Sequence, residues 1–344
     1  MPRTEPTLQQ WKELHEVAQN IKALAPWNYL YDQNWVVLQL PGRDEPVYCS
    51  VMGALGECYG IAIYPNNASI ARLLRMAEAL EDEPEWVHMF MQNCLVCFFG
   101  DREEVEPEDR AVMKELDIKY RGRGQWIYFR ASREGCAPYF IDQEDAALAI
   151  DTLQNFYMAL IPYLEGRLKV DFEKKEIIYR FYNEKKDAWY TTNAKWPEPL
   201  HFTSDITIID NEEFLAEMRQ AKQIACRLEL DLPYLPMPIP EGKRGVPRCP
   251  QLIIAVDADS GQILAHKVRA EDDDRDTADT LLNILEEFIR QNGRPKEIHT
   301  RSVFVGIPLH DFCEKVGIVL KMEGVPKIDE MLGAFMKIMG GKFG

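Results

Sequence analysis

The residues best typed for chemistry in this chain are thiols, glycines and acids, and their spacing decides what each can do. Eight cysteines stand at 49, 58, 94, 97, 136, 226, 249 and 313, and only Cys94 and Cys97 form a C-x-x-C pair. A zinc site wants a second such pair, or histidines at ligand spacing, on polar knuckles. This pair sits in the apolar run Asn93-Cys94-Leu95-Val96-Cys97-Phe98-Phe99, so the thiols read as small buried hydrophobes. Gly53, Gly56 and Gly60 could cradle a phosphate only if a helix began at the last of them. A strand, Ile61 to Tyr64, follows instead, which makes the glycines a turn within a β-meander. The run Glu271-Asp272-Asp273-Asp274-Arg275-Asp276 lacks the alternate oxygen spacing and bend glycine of a calcium loop. It reads as a solvated acidic lead-in to a helix N-terminus. The six histidines, at 15, 88, 201, 266, 299 and 310, show no i, i+4 pair. No nucleophile elbow or Walker loop occurs, so no cofactor is expected.

Length and charge narrow the classes further. The 344 residues suffice for two or three domains, and 46% hydrophobic with 28% charged residues is a globular composition. No apolar run reaches the roughly 18 residues that span a bilayer. The start Met1-Pro2-Arg3-Thr4-Glu5-Pro6 has no apolar signal core, so a cytoplasmic protein is expected. The formal charge is −16, and residues 257–344 hold 12 basic against 16 acidic side chains. Basic clusters are short, such as Lys243-Arg244 and Arg121-Gly122-Arg123. Nucleic acid is therefore disfavoured as a partner. With no membrane span either, a protein is the partner class left open.

The elements come from periodicity. Trp11, Leu14, Val17, Ile21 and Leu24 predict a helix from Leu8 to Leu24. Strands are predicted at Trp35–Leu40, Val47–Met52, Ile61–Tyr64, Cys94–Phe99 and Gln125–Arg130. Helices are predicted at about 68–80, 108–116 and 142–164, closing an N-terminal α+β domain at Gly166. A small α+β middle region, 167–240, has a predicted hairpin of Leu168–Phe172 with Ile177–Tyr182. It adds a strand at Ile206–Ile209 and a helix from Glu212 to Cys226 capped by Asp210. Prolines 233, 236, 238 and 240 lead into a linker at 241–250, and residues 251–344 form the last domain. Its tail, Met331 to Met339, reads as a short methionine-rich amphipathic helix.

Two resemblances follow from these segments. Tyr48-Cys49-Ser50-Val51-Met52-Gly53, then Gly56-Glu57 and Ile61-Ala62-Ile63-Tyr64, resemble the N-terminal signature of a group of uncharacterised bacterial proteins; no activity comes with it. The second lies in residues 251–340. There Ile253 to Gly261 is followed by a strand at Ile263–Val268, a helix at Thr277–Gln291 and Pro295-Lys296-Glu297-Ile298-His299-Thr300. This layout resembles the ribonuclease-H-like core of DDE transposases and retroviral-type integrases, and implies an α/β mixed sheet with flanking helices. The family's carboxylates hold two metal ions. The resemblance puts the first at Asp257, the second at position 301 and the third at Asp329 or Glu330.

Position 301 is an arginine. A guanidinium repels a divalent cation and offers its donors to the remaining acids. Asp257, Arg301 and Glu330 are thus candidates for a degenerate cleft, and Asp257, Asp259 and Glu330 are the only set left to hold a metal. Three readings follow. One is a non-catalytic binding or scaffolding protein; another is a divergent metal-dependent nuclease. The third is an N-terminal domain that binds a small molecule or peptide. The first leads to a sharp expectation: Asp257 and Arg301, on adjacent strands, should form a partly buried ion pair.

Overall fold

A computed structural model describes residues 3–77, 90–197, 208–240, 245–269 and 277–338. The chain divides into two units, residues 1–74 with 92–202 and residues 75–91 with 203–344.

The first unit is built on seven strands. They are β1 (Val36–Gln39), β2 (Val47–Met52), β3 (Gly60–Tyr64), β4 (Cys94–Gly100), β5 (Trp126–Ser132), β6 (Glu176–Asn183) and β7 (Ala188–Lys195). Their order is β5-β4-β3-β2-β1-β6-β7. The β1-to-β5 meander is antiparallel throughout, and β6 then pairs in parallel with β1, Val36 opposite Ile178. The meander turn after β2 needs its glycine: Gly53 has φ 111°, and a Cβ there would collide with the Tyr59 ring.

Helix α1 (Leu8–Leu24) starts at a capping box of Thr7 and Gln10 and has the predicted limits. Helix α2 (Asn67–Ala77) and helix α3 (Pro107–Glu115) follow, then α4 (Gln143–Leu164), capped by Asp142. The 22 residues of α4 span about 33 Å at 1.5 Å each. That exceeds the five strand spacings, about 24 Å in all, between β5 and β6. This helix carries the chain back over the sheet and makes the β1–β6 pairing parallel. Leu14, Ile21, Leu153, Phe156 and Leu160 pack on this face with Val36, Val51, Ile61 and Phe129.

The middle of the chain departs from expectation. The hairpin is β6 with β7, turning at residues 184–187, and not 168–172 with 177–182. Residues 172–174 form one 3-10 turn, and Lys175 at φ 58° redirects the chain into β6. Both strands extend the first sheet, so residues 176–195 form no separate middle region. Of the strand expected at 206–209, residues 206–207 fall outside the described residues and Ile208 and Ile209 are not strand; the acidic run 271–276 falls wholly outside the described residues.

The second unit opens with α5 (Glu212–Gln220), shorter than predicted and capped by Asn211, whose side chain accepts the Phe214 N–H, in place of Asp210. Residues 221–226, expected to be the last turns of that helix, are not helical and lead into strand β8 (Arg227–Asp231). Short strands β9 (Ile239–Pro240) and β10 (Pro247–Arg248) pair with each other, and β11 (Gln251–Asp257) returns antiparallel beside β8. The proline run therefore joins two neighbouring strands of one sheet and separates nothing. Proline lacks only its own N–H, and the residues between still donate. Leu235 N–H reaches the Pro250 carbonyl at 2.8 Å, and Leu252 N–H reaches Pro233 at 2.8 Å.

The sheet is completed by β12 (Ile263–Arg269), β13 (Glu297–Thr300) and β14 (Val319–Met322), in the order β12-β11-β8-β13-β14. Strands β8, β13 and β14 are mutually parallel, and β11 runs antiparallel to both its neighbours, β8 and β12. Helices α6 (Thr277–Asn292) and α7 (Val303–Val316) join α5 on one face through Leu228, Leu230, Leu285, Ile298 and Phe312. Helix α8 (Pro326–Ile338), which takes in residues 331–338 of the methionine-rich tail, covers the other face through Ile328 and Leu332 on Leu252, Ile254 and Val256. The whole is a mixed α+β protein with two mixed sheets.

Candidate functional site

The face of the second sheet that carries α8 is half apolar and half ionic. Alternation puts Arg227, Glu229 and Asp231 of β8 on the same side, and likewise Glu297, His299 and, just past the strand, Arg301. Glu297 lies opposite Arg227 and His299 opposite Glu229, so the next pair along brings Arg301 beside Asp231.

Arg301 is the centre. Its side chain is 2% exposed. Its Nε donates to Asp231 Oδ2 at 2.8 Å, its Nη2 lies 2.7 Å from the same oxygen, and Asp329 Oδ1 lies 2.8 Å from Nη2. Burial pushes the Asp231 carboxyl above the ordinary range, with Arg301 pulling it back. Glu229, 2% exposed, turns to α8 and accepts the Ile328 N–H at 2.9 Å, so the central strand caps that helix. Burial also raises its carboxyl, against the Ile328 and Lys327 N–H groups that lower it.

A second knot lies toward the β14 edge. Glu297 meets Lys321 at 2.7 Å, His299 Nε2 at 3.0 Å and Lys296 at 3.0 Å. Lys321 first, then His299 and Lys296, hold its carboxyl far below the usual range. The other ring nitrogen of His299 lies 2.8 Å from Glu323 Oε1.

The expected partner of Arg301 was Asp257, and the structure separates them. Asp257 is on β11, with β8 between it and β13, and is level with Leu228, three residues along from Asp231. Asp257 and Arg301 are therefore offset by about 10 Å across the sheet and about 10 Å along it. Its Oδ1 accepts the Ser260 N–H and hydroxyl, each at 2.7 Å, closing the turn into β12 and drawing its carboxyl down. Asp259 pairs with Arg227 instead, and Glu330 reaches Lys327 at 3.2 Å from an exposed position. The set Asp257, Asp259 and Glu330 is thus spread over separate local partners. Among the described residues no three His, Cys, Asp or Glu side chains are grouped to hold a metal. Asp329, named as the alternative to Glu330, is the closing-helix acid that does reach the centre. The residues missed in the sequence are Asp231 and Glu229.

The C-x-x-C pair is resolved by strand geometry. Cys94 and Cys97, three apart on β4, point to opposite faces, one into each hydrophobic layer of the first unit, and cannot share an ion. All eight thiols are free. Burial raises the thiols of Cys49, Cys94 and Cys97. Burial and then the neighbouring Asp257 push that of Cys226 up to about 12. Cys58 alone is exposed. A thiol reagent should therefore modify Cys58 rapidly in the native protein, half-buried Cys226 slowly because its thiol is held protonated, and the six buried cysteines only on unfolding. Rapid modification of two or more would contradict this burial pattern.

Two family models match the chain. Residues 11–180 fit the domain of unknown function DUF7309, and residues 214–336 fit DUF6930. Both are domains of unknown function. The second match begins inside α5 and so takes in β8. No curated protein matches. Among solved structures, a chain of the simian T-cell lymphotropic virus intasome in complex with PP2A regulatory subunit B56 gamma is 13% identical, with a TM-score of 0.26. The match covers 42% of this chain and 44% of that one, so this chain spans less than half of it. The HTLV-2 integrase catalytic core in complex with magnesium matches at 13% identity in its dimeric form, over 36% of this chain and 80% of that one, with a TM-score of 0.24. Among the described residues no helix is long and apolar enough to cross a membrane.

Proposed function

We propose that residues 208–338 form a ribonuclease-H-like module that has lost its chemistry, and that the protein is a non-catalytic binding or scaffolding protein of the cytoplasm. One observation carries the reading: the Arg301 guanidinium bridges Asp231 of the central strand and Asp329 of the closing helix. In the integrase-like arrangement, acids at the places of Asp231 and Asp329 and a further acid at 301 would hold the metal ions. Strand β8, not β11, supplies the first acid, because β8 is the neighbour of β13. An arginine in that triangle supplies positive charge from the chain itself and leaves two carboxylates already paired. These residues do not fit a pair of divalent ions, which need several free oxygens each.

The test is a calorimetric titration of the full chain with Mn²⁺, beside the Arg301→Asp variant. Wild type is expected to show no saturable uptake at the cleft. Arg301→Asp, which restores a third carboxylate, is expected to gain weak Mn²⁺ binding without phosphodiester cleavage. Uptake of two Mn²⁺ by wild type, abolished in Asp231→Asn, would return the protein to the nucleases.

A further inference from the structure

The first unit holds a concavity that the pseudo-enzyme reading does not use. It has a volume of about 640 Å³ and lies between the turn after β4 and the loop that enters β5. Its walls carry three arginines, Arg102, Arg121 and Arg123, and two aromatic rings, Tyr120 and Trp126. Two acids, Asp101 and Glu103, also line it, so positive charge is in excess by one. This excess sits in a chain whose net charge is −16.

The guanidinium groups are not committed elsewhere. Among the described residues, none of the three arginines takes part in an ion pair. All three are exposed. Arg102 lies over the Trp126 ring, 6.0 Å from its centroid, which orients the fork while leaving its N–H edges open.

The frame around them is held. Asp101 Oδ1 accepts the Gly124 N–H at 2.6 Å and so ties the two loops together. Gly122 and Gly124, at φ 91° and 63°, give the loop a path that side chains rarely allow. The Tyr120 hydroxyl is fixed to α1 by His15 Nδ1 at 3.0 Å and Gln19 at 3.2 Å, and its ring meets Trp126 edge-on at 6.1 Å. Pre-formed walls lower the ordering cost of binding.

We propose that this concavity binds a nucleoside polyphosphate. Its volume is in the range of small-molecule sites, roughly 300–1,000 Å³. Three forks of N–H donors match several phosphate oxygens. The indole and the guanidinium 6.0 Å from its centroid offer planar surfaces to a base. A phosphate alone would leave the aromatic wall unused, and a nucleoside alone the arginines.

The experiment is calorimetry on the full chain in metal-free, low-salt buffer, with ATP, pyrophosphate and adenosine as separate probes. Saturable 1:1 binding of ATP is expected, with pyrophosphate and adenosine each at least tenfold weaker. The double variant Arg121→Ala, Arg123→Ala should lose at least tenfold in ATP affinity while its melting curve overlays that of wild type, because these side chains hold no structural partner. Absence of saturable ATP binding overturns the proposal. So does equal affinity in the double variant, or equal affinity for pyrophosphate and ATP. None of these outcomes bears on the Arg301 cleft, which the Mn²⁺ titration tests separately.

Discussion

Replacing Arg301 by methionine should destabilise the second unit by about 3–5 kcal/mol, the usual cost of stranding one half of a buried ion pair. Methionine fills much of the space but leaves Asp231 and Asp329 facing each other without a cation. The loss should depend on pH, and its sign follows from Asp231. Burial already raises that carboxyl in the folded state, and Arg301 opposes the rise. Without Arg301 the folded value climbs further. A group raised on folding contributes stability below its unfolded value, roughly 3.9, and loses it as pH climbs through the folded value. The gap between wild type and variant should therefore be widest near neutrality and narrow on acidification. Denaturant unfolding at several pH values measures it. Adding Asp231→Asn to the variant should recover much of the loss, since it removes the stranded charge. A gap below about 1 kcal/mol, the size of a surface pair, or one indifferent to pH, would mean that Arg301 does not hold the cluster together.

Asp109→Ala should cost the first unit a comparable amount, about 3–5 kcal/mol. Asp109 is 7% exposed and Arg130 9%. The two form a bidentate pair, Nη1 to Oδ1 at 3.1 Å and Nη2 to Oδ2 at 2.7 Å. Asp109 Oδ2 also accepts the Glu106 N–H at 3.1 Å, which closes the capping box of α3. The guanidinium lies over the Phe140 ring, 4.6 Å from its centroid, and so stays in place when its partner is removed. Alanine thus removes a cap and strands a buried cation together. Asp109→Asn, which keeps an acceptor for the cap, should cost less than alanine in the same unfolding measurement. Equal losses in the two variants would assign the whole effect to charge.

Periodicity sufficed where one face of an element is apolar. The three- and four-residue steps from Trp11 to Leu24 predict α1 to the residue, and the glycines after Met52 read correctly as a meander turn. It failed at β8. Arg227-Leu228-Glu229-Leu230-Asp231 is five residues long, and its leucines face the helices while its charges face inward to other charges. A strand with an ionic inner face has no apolar signature on that side, and it follows a helix without a glycine or proline between. The apolar run Ile253–Val256 took its place as the central strand, and with it Asp257 took the place of Asp231. The alternation Leu228, Leu230 between charged residues, ending at Leu232-Pro233, was the available signal. Trp189-Tyr190-Thr191-Thr192, rich in β-formers, was the corresponding signal for β7.

The proline-rich excursion between β8 and β11 leaves the sheet and re-enters it at neighbouring points, closed by backbone hydrogen bonds at its base. Its two ends are held together by the sheet whatever lies between them. Closing a longer loop costs only about 0.6 kcal/mol per doubling of length. Chain length between Ile239 and Arg248 is therefore decoupled from the placement of Asp231 and Arg301. A longer or shorter excursion is compatible with the same register of the charged centre, because Asp231 is fixed opposite Ile254 at its root.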